Sequence, residues 1–235
     1  MRELKLVHLF PELLNLYGEK GNVMVLKKRC RLRDINLIVT EFKISDEIDI
    51  TDADIIIIGG GSKNDVLKAY EKLVNLKEKF KSYCENNGVM IGISSGYEML
   101  GRTFSIDKEK YDGLELCGFY SEESDKRLID NVELETDFGK IIGFTNHSAR
   151  FYLDDGIASL GKVIKGFGNN ETDLSEGVLY KNIFGTSLHG PLLPKNPNLA
   201  DEIIKRALIG KYGEAGDFCE LTTELSNSAR NNIEF

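Results

Sequence analysis

The residues whose types and spacing best suit chemistry are Gly92-Ile93-Ser94-Ser95-Gly96, a G-x-S-x-G stretch between the apolar run Val89–Ile93 and the short amphipathic run Tyr97–Leu100. A strand entering such a stretch and a helix leaving it make a nucleophile elbow: the turn is so tight that only small flanking residues fit, and it lifts the central side chain above the sheet edge. Ser94 is then the nucleophile. The Ser95 amide points to where an acyl oxyanion develops, beside the positive end of the following helix. The competing reading is an ordinary strand-to-helix turn built from small residues. A second cluster, Gly59-Gly60-Gly61-Ser62, ends a run of four isoleucines, and an amide in that loop could supply the other oxyanion donor. It lacks the GK[ST] ending of a P-loop and no G-x-G-x-x-G follows, so a nucleotide site is not expected.

A serine nucleophile needs a base, and the chain has three histidines. His8 lies inside the first strand-like run and reads as structural. His147, in Asn146-His147-Ser148, and His189, in Ser187-Leu188-His189-Gly190-Pro191, both follow strand-like runs. A histidine at a strand's carboxyl end is well placed to act on an elbow nucleophile. Position alone leaves either one equally able to be a hydrogen-bonded loop residue.

The elements that must hold these groups follow from periodicity. Leu4–Phe10, Ile35–Phe42, Ile55–Ile58 and Val89–Ile93 read as strands, the last two buried on both faces as in a parallel sheet. Val23, Leu26 and Cys30 share a helical face, with Asn22 as the expected N-cap. A helix is expected from about Asn64 to Glu85, closed by Asn86-Asn87-Gly88. Glycines at the carboxyl ends of two strands match where open α/β sheets place their sites. Beyond Phe119 the strand-like pieces Arg127–Leu134, Gly139–Asn146, Gly177–Tyr180 and Ile183–Leu188 suggest an antiparallel or mixed extension of the sheet, and Leu199–Leu208 a closing helix. With no repeat, linker or low-complexity tract, residues 1–235 read as one domain. A polar tail from about 213, including Glu224–Asn232, is expected to fray or to dock on a partner.

Composition narrows the function. Of 235 residues, 41% are hydrophobic and 29% charged, the balance of a globular domain with a sizeable core. With 38 acidic and 30 basic residues the net charge is −8, a poor match to nucleic acid. The block Lys27, Lys28, Arg29, Arg31 and Arg33 reads as the wet face of a helix. No run of 18 apolar residues indicates a membrane span, and Met1-Arg2-Glu3-Leu4-Lys5 opens no signal core, so a cytoplasmic location is expected. Cys30, Cys84, Cys117 and Cys219 form no CxxC pair, and neither a metal site nor a disulfide framework is expected.

Several stretches together resemble the cobyric-acid-synthase-like class I glutamine amidotransferases, nearest the branch of glutaminase subunits of lipid II isoglutaminyl synthase. They are Phe10-Pro11-Glu12-Leu13-Leu14-Asn15-Leu16-Tyr17-Gly18, Gly143-Phe144-Thr145-Asn146-His147-Ser148, Gly166-Phe167-Gly168-Asn169-Asn170 and Ser187–Pro197. The resemblance runs in order over nearly the whole chain. It implies a flavodoxin-like α/β domain, mostly parallel sheet flanked by helices with an antiparallel extension, that hydrolyses glutamine without a cofactor. Ammonia would pass to a Mur-ligase-like, ATP-dependent synthetase subunit in a heterodimer, which amidates D-glutamate of lipid II. It places Ser94 at the nucleophile position, His189 at the histidine, Arg127 at the substrate-binding arginine, and Gly60 and Ser95 at the oxyanion positions. No carboxylate follows His189 at the two-residue spacing of a Cys-His-Glu triad, as is usual in that branch.

The chain departs from that pattern where it matters most. The family elbow resembles I-C-G-G-Y-Q; here it is Ile93-Ser94-Ser95-Gly96-Tyr97-Glu98, and Lys63, Asn64 and Asp65 replace acidic and arginine residues after the glycine cluster. A thiol ionises near pH 8.5, whereas a hydroxyl needs concerted proton removal, usually with an acid behind the histidine. By sequence, Asp173, Glu176 and Glu98 are the acids to consider. Glu98 would also set a negative charge beside the substrate carboxylate unless it is protonated. Glutaminase activity is therefore expected to be weak or absent as the chain stands. The alternatives are a non-catalytic amidotransferase-like binding subunit and a serine hydrolase using Ser94 and His189.

Overall fold

A computed structural model describes residues 2–223 of the chain. In chain order its elements are β1 (Arg2–Leu9), α1 (Lys20–Arg31), β2 (Ile35–Phe42), β3 (Ile55–Ile58), α2 (Lys63–Leu73), α3 (Lys77–Glu85), β4 (Val89–Ile93), α4 (Ser95–Leu100), β5 (Thr103–Ile106) and β6 (Glu109–Asp112). There follow β7 (Phe119–Thr136), β8 (Gly139–Leu153), β9 (Gly161–Lys165), β10 (Ser175–Glu176), β11 (Val178–Tyr180), β12 (Ile183–Thr186), α5 (Leu192–Lys195) and α6 (Pro197–Tyr212). The main sheet has the order β11-β12-β4-β3-β1-β2. Five of its strands run parallel and only β11 is reversed.

The four isoleucines of β3 show why the strand is apolar throughout. Ile55 and Ile57 enter one core with α1 and α6; Ile56 and Ile58 enter the other with α2, α3 and α4. All four are completely buried, so alternation along the strand serves two faces rather than one. Ser62 caps α2, donating to Asp65 and accepting from its amide. Pro197 opens α6 and Gly213, at φ +80°, ends it.

A second sheet, ordered β10-β9-β7-β8, is antiparallel and built on the long β7–β8 ribbon, with a bulge between Glu123 and Leu128. It meets the main sheet where Phe144 and His189 exchange backbone hydrogen bonds of 3.3 and 3.0 Å. The antiparallel extension is therefore tied to the parallel sheet at the very histidine that the sequence singles out.

Several sequence expectations change. The helix expected over 64–85 breaks at a 3-10 turn, Val74–Leu76, where the Asn75 amide donates back to the Glu71 carbonyl at 2.8 Å. Asn22 is not the cap of α1. The helix starts at Lys20, and Asn22 is buried with its Oδ1 accepting from the Leu193 amide at 2.8 Å. The basic block is not a uniformly wet face either. Arg29 and Arg33 turn inward and both fork onto Asp201 of α6, at 2.5–2.6 Å and 2.8–2.9 Å. Of the expected tail, residues up to 223 run back along the body, with the Arg33 guanidinium 3.9 Å from the Phe218 ring centre and bonded to the Cys219 carbonyl. Glu224–Asn232 lie outside the described residues.

Candidate active site

The elbow is built as the sequence expects. Ser94 sits at φ +56°, ψ −121°, a conformation that costs a non-glycine residue energy and persists only when its surroundings fix it. They do: the Ser94 amide donates to Thr186 of the neighbouring strand at 2.9 Å, and its carbonyl accepts from Tyr97 and Glu98. Gly96 is required for space, since a Cβ there would lie 2.2 Å from the Ile58 carbonyl oxygen. Gly60 is required for the nucleophile itself. A Cβ on it would lie 2.8 Å from Ser94 Cβ and 2.9 Å from Ser94 Oγ.

Ser94 and Ser95 open onto a cavity of about 220 Å³, walled also by Tyr17, Lys63, Glu98, Glu123, Arg127 and His147. Arg127 reaches it from the end of the β7 bulge. Its fork is set by Asn146, with Nε donating to Oδ1 at 2.9 Å and Nη2 to the carbonyl at 2.7 Å. The structure thus gathers Ser94, Ser95 and Arg127 around one space. Gly60 stands behind Ser94, and its neighbour Gly61 forms the wall. The Gly60 amide lies against the buried Glu19 carboxylate. Burial pushes that carboxyl up, opposed by the amides of Glu19, Tyr17 and Gly60.

His189 arrives from the adjacent strand. Thr186 of β12 pairs with Ile93 of β4, so Ser94 and His189 leave neighbouring parallel strands one and three residues past that pair. The imidazole is 2% exposed and stacks on Tyr17, ring centres 3.6 Å apart and planes 6° apart. Neither ring nitrogen has a hydrogen-bond partner among the described residues, Ser94 Oγ included. Burial, with help from Lys195 and Arg127, pulls its pKa down to about 4. The ring is therefore neutral at pH 7.

Of the three acids considered for His189, Glu176 and Asp173 are occupied elsewhere and Glu98 lies in the cavity wall. Glu176 is fully buried and accepts from Thr186 Oγ1, Ser187 N and Ser187 Oγ at 2.7–2.9 Å; burial lifts its pKa to about 7 despite these donors. Asp173 serves Asn170 and Ser175. Glu98 stays in the cavity wall, half-buried, with its pKa pushed up to about 8 by burial and then by Glu123, against the pull of Arg127 and Lys63. At pH 7 it is mostly protonated, so the charge clash that its sequence position suggests is largely lifted. Glu123 is the ionised member of the pair. Burial opposes its charge, but Lys63 and the Lys108 amide hold its pKa down.

Tyr17 belongs to the Phe10–Gly18 stretch, and its stack on His189 depends on a fold contact between residues 172 positions apart that no local pattern reports. His147, whose position in the sequence leaves its role open, stands in the cavity wall. His8 is structural as expected: it is fully buried in β1, with neither nitrogen partnered among the described residues. No group of three or more metal-ligating side chains occurs among the described residues. None of their helices is long and apolar enough to cross a membrane.

The chain is similar to known proteins. The CobB/CobQ-like glutamine amidotransferase domain matches residues 5–197. The glutamine-hydrolysing lipid II isoglutaminyl synthase subunit GatD of Staphylococcus aureus is 38% identical over 209 residues, covering 88% of this chain and 85% of the relative. Its counterpart from Streptococcus pneumoniae is 34% identical over 216 residues, covering 90% and 83%. A cobyric acid synthase of Clostridium acetobutylicum is 31% identical over 150 residues, 58% of this chain but only 29% of that longer protein. In fold, a crystal structure of a glutamine amidotransferase superposes with a TM-score of 0.58 at 16% identity, covering 86% of this chain and 98% of the other. With the elbow, the sheet order and a match spanning most of its length, the chain belongs to the CobB/CobQ-like glutamine amidotransferase family.

Proposed function

We propose that this chain is the glutamine-binding subunit of a cytoplasmic lipid II isoglutaminyl synthase. It would be paired as a heterodimer with a Mur-ligase-like, ATP-dependent subunit that amidates D-glutamate in the peptidoglycan precursor. In this reading glutamine lies in the 220 Å³ cavity with its carboxylate on Arg127 and its amide carbon at residue 94. His189 takes the nucleophile's proton and returns it to departing ammonia. The Ser95 amide supports the oxyanion. The observation that carries the reading is the strained elbow at Ser94 opening onto the same small cavity as Arg127, in a chain so similar to two GatD subunits.

Ser94 limits the chemistry. His189 is neutral and has no carboxylate behind it among the described residues, an arrangement suited to a thiol and poor for a hydroxyl. The same observation favours a second reading, in which the chain binds glutamine and its partner without appreciable turnover, and it weighs against a serine hydrolase. The test is reconstitution with the synthetase subunit, ATP and lipid II. The Ser94→Cys chain should support amidation from glutamine, and the Ser94 chain should form the complex but need added ammonium. If neither chain binds the synthetase, the subunit assignment fails.

A further inference from the structure

We propose that His147 selects the amide of the substrate: its Nε2 accepts a hydrogen bond from the glutamine carboxamide NH2, so that the cavity takes glutamine and refuses glutamate. This rests on the glutamine reading above and names the residue that enforces it.

His147 lies on β8 opposite Leu128 of β7, next to the Asn146 that sets the Arg127 fork. Its Nδ1 is 2.7 Å from the Ala149 carbonyl oxygen. A carbonyl can only accept, so Nδ1 carries the hydrogen and Nε2 of the neutral ring presents a bare lone pair. Burial pulls the pKa down to about 4, so the ring is neutral at pH 7 and Nε2 accepts rather than donates. The residue is 6% exposed, and Nε2 is buried with no partner among the described residues. Yet the residue is part of the wall of the cavity of Ser94, Ser95 and Arg127. A buried acceptor left unpaired beside a cavity is satisfied when the ligand brings a donor there.

Glutamine brings two kinds of donor, its α-ammonium and its carboxamide NH2. The ammonium has a charged match in the Glu123 carboxylate of the same cavity, an acceptor a neutral imidazole cannot rival. With the ammonium on Glu123 and the carboxylate on Arg127, the carboxamide NH2 is the donor left for His147 Nε2. Glutamate carries only acceptor oxygens at that end. Its lone pairs would face the Nε2 lone pair, so both glutamate as a competing ligand and glutamate as the product are disfavoured.

The slow Ser94 chain allows this to be measured at equilibrium by calorimetric titration with L-glutamine and with L-glutamate at pH 7. The native sequence should prefer glutamine by roughly ten- to a hundred-fold. His147→Leu should bring the ratio to about one by losing glutamine affinity while glutamate affinity holds or rises, and His147→Gln, which restores an acceptor, should recover much of the preference. Each variant's melting temperature reports its folding, and His147→Gln carries the test if the leucine variant does not fold. An unchanged ratio in a folded variant, or an equal loss of both ligands, overturns the proposal. So does equal binding of the two ligands by the native sequence. If the native sequence binds neither, the glutamine reading itself has failed and this inference falls with it.

Discussion

Replacing Ser94 by cysteine isolates the step on which activity turns. The exchange is sterically mild. The φ of +56° strains serine and cysteine alike, and the absent Gly60 side chain, whose Cβ would come within 2.9 Å of Oγ, leaves room for the larger sulfur. Stability should therefore change by less than about 1 kcal/mol. Chemistry should change far more. An unperturbed thiol at pH 7 is already about 3% thiolate, and a nearby imidazole raises that fraction. The serine must instead lose its proton to His189, whose pKa of about 4 and unpartnered nitrogens make it a weak, poorly oriented base. Disabling the orienting carboxylate of a serine protease lowers turnover about 10⁴-fold. Ser94→Cys should then release ammonia from glutamine about 10³- to 10⁴-fold faster than the native chain, roughly 4–5.5 kcal/mol of barrier. Ammonia release, measured alone and with the synthetase subunit, decides it. If the native chain turns over within ten-fold of the cysteine variant, its hydroxyl is adequately activated and this account of His189 is wrong.

Arg127→Lys keeps the charge but loses the fork that Asn146 sets, so glutamine affinity should fall roughly ten- to a hundred-fold; calorimetric titration showing no change would remove Arg127 from the site. Glu98 is neutral below its pKa of about 8, raised chiefly by burial, so glutamine binding should weaken as pH rises through about 8 and a charge appears beside the substrate carboxylate. Glu98→Gln should abolish that limb, and a variant that retains it would show another group titrating. Burial lowers the pKa of His8 to about 4, against 6.5 when exposed. Between those values the unfolded chain binds more protons, so His8 makes stability fall as pH drops from about 6.5 to 4, by at most about 3 kcal/mol. The melting temperature of His8→Leu should fall less over that window than that of the native chain, and parallel curves would assign the acid limb to other groups.

Where one physical pressure dominates, the sequence speaks clearly. Ile35–Phe42, Ile55–Ile58 and Val89–Ile93 match β2, β3 and β4 residue for residue, because β3 and β4 are apolar on both faces inside the parallel sheet and the edge strand β2 begins with buried and exposed residues in alternation. The elbow was readable for a similar reason: its sharp turn forces small residues at fixed spacing. By contrast, β7 begins at Phe119, eight residues before the strand expected at Arg127. Its first half, Ser121–Arg127, is polar and largely solvated on a ribbon, so no alternation marks it. The β5–β6 hairpin turns at Asp107 and Lys108, both at positive φ without a glycine, and carries no turn signature. The inward Arg29 and Arg33 read as surface because their partner, Asp201, is far away in sequence.

Two of the residues at which the chain departs from the resembled pattern, Lys63 and Glu98, meet in the cavity wall although they lie far apart in sequence. Lys63 reaches both Asp107 of the β5–β6 turn and Glu123 of β7, tying three elements around the cavity mouth. It keeps Glu123 charged, and that charge in turn helps keep Glu98 protonated. A single disabling exchange at Ser94 would have needed none of this. Lys63, Glu123 and Glu98 instead form a coupled electrostatic unit in which each residue's charge state suits its neighbours. Under the proposed function, such a unit would suit a cavity that receives an amino acid zwitterion.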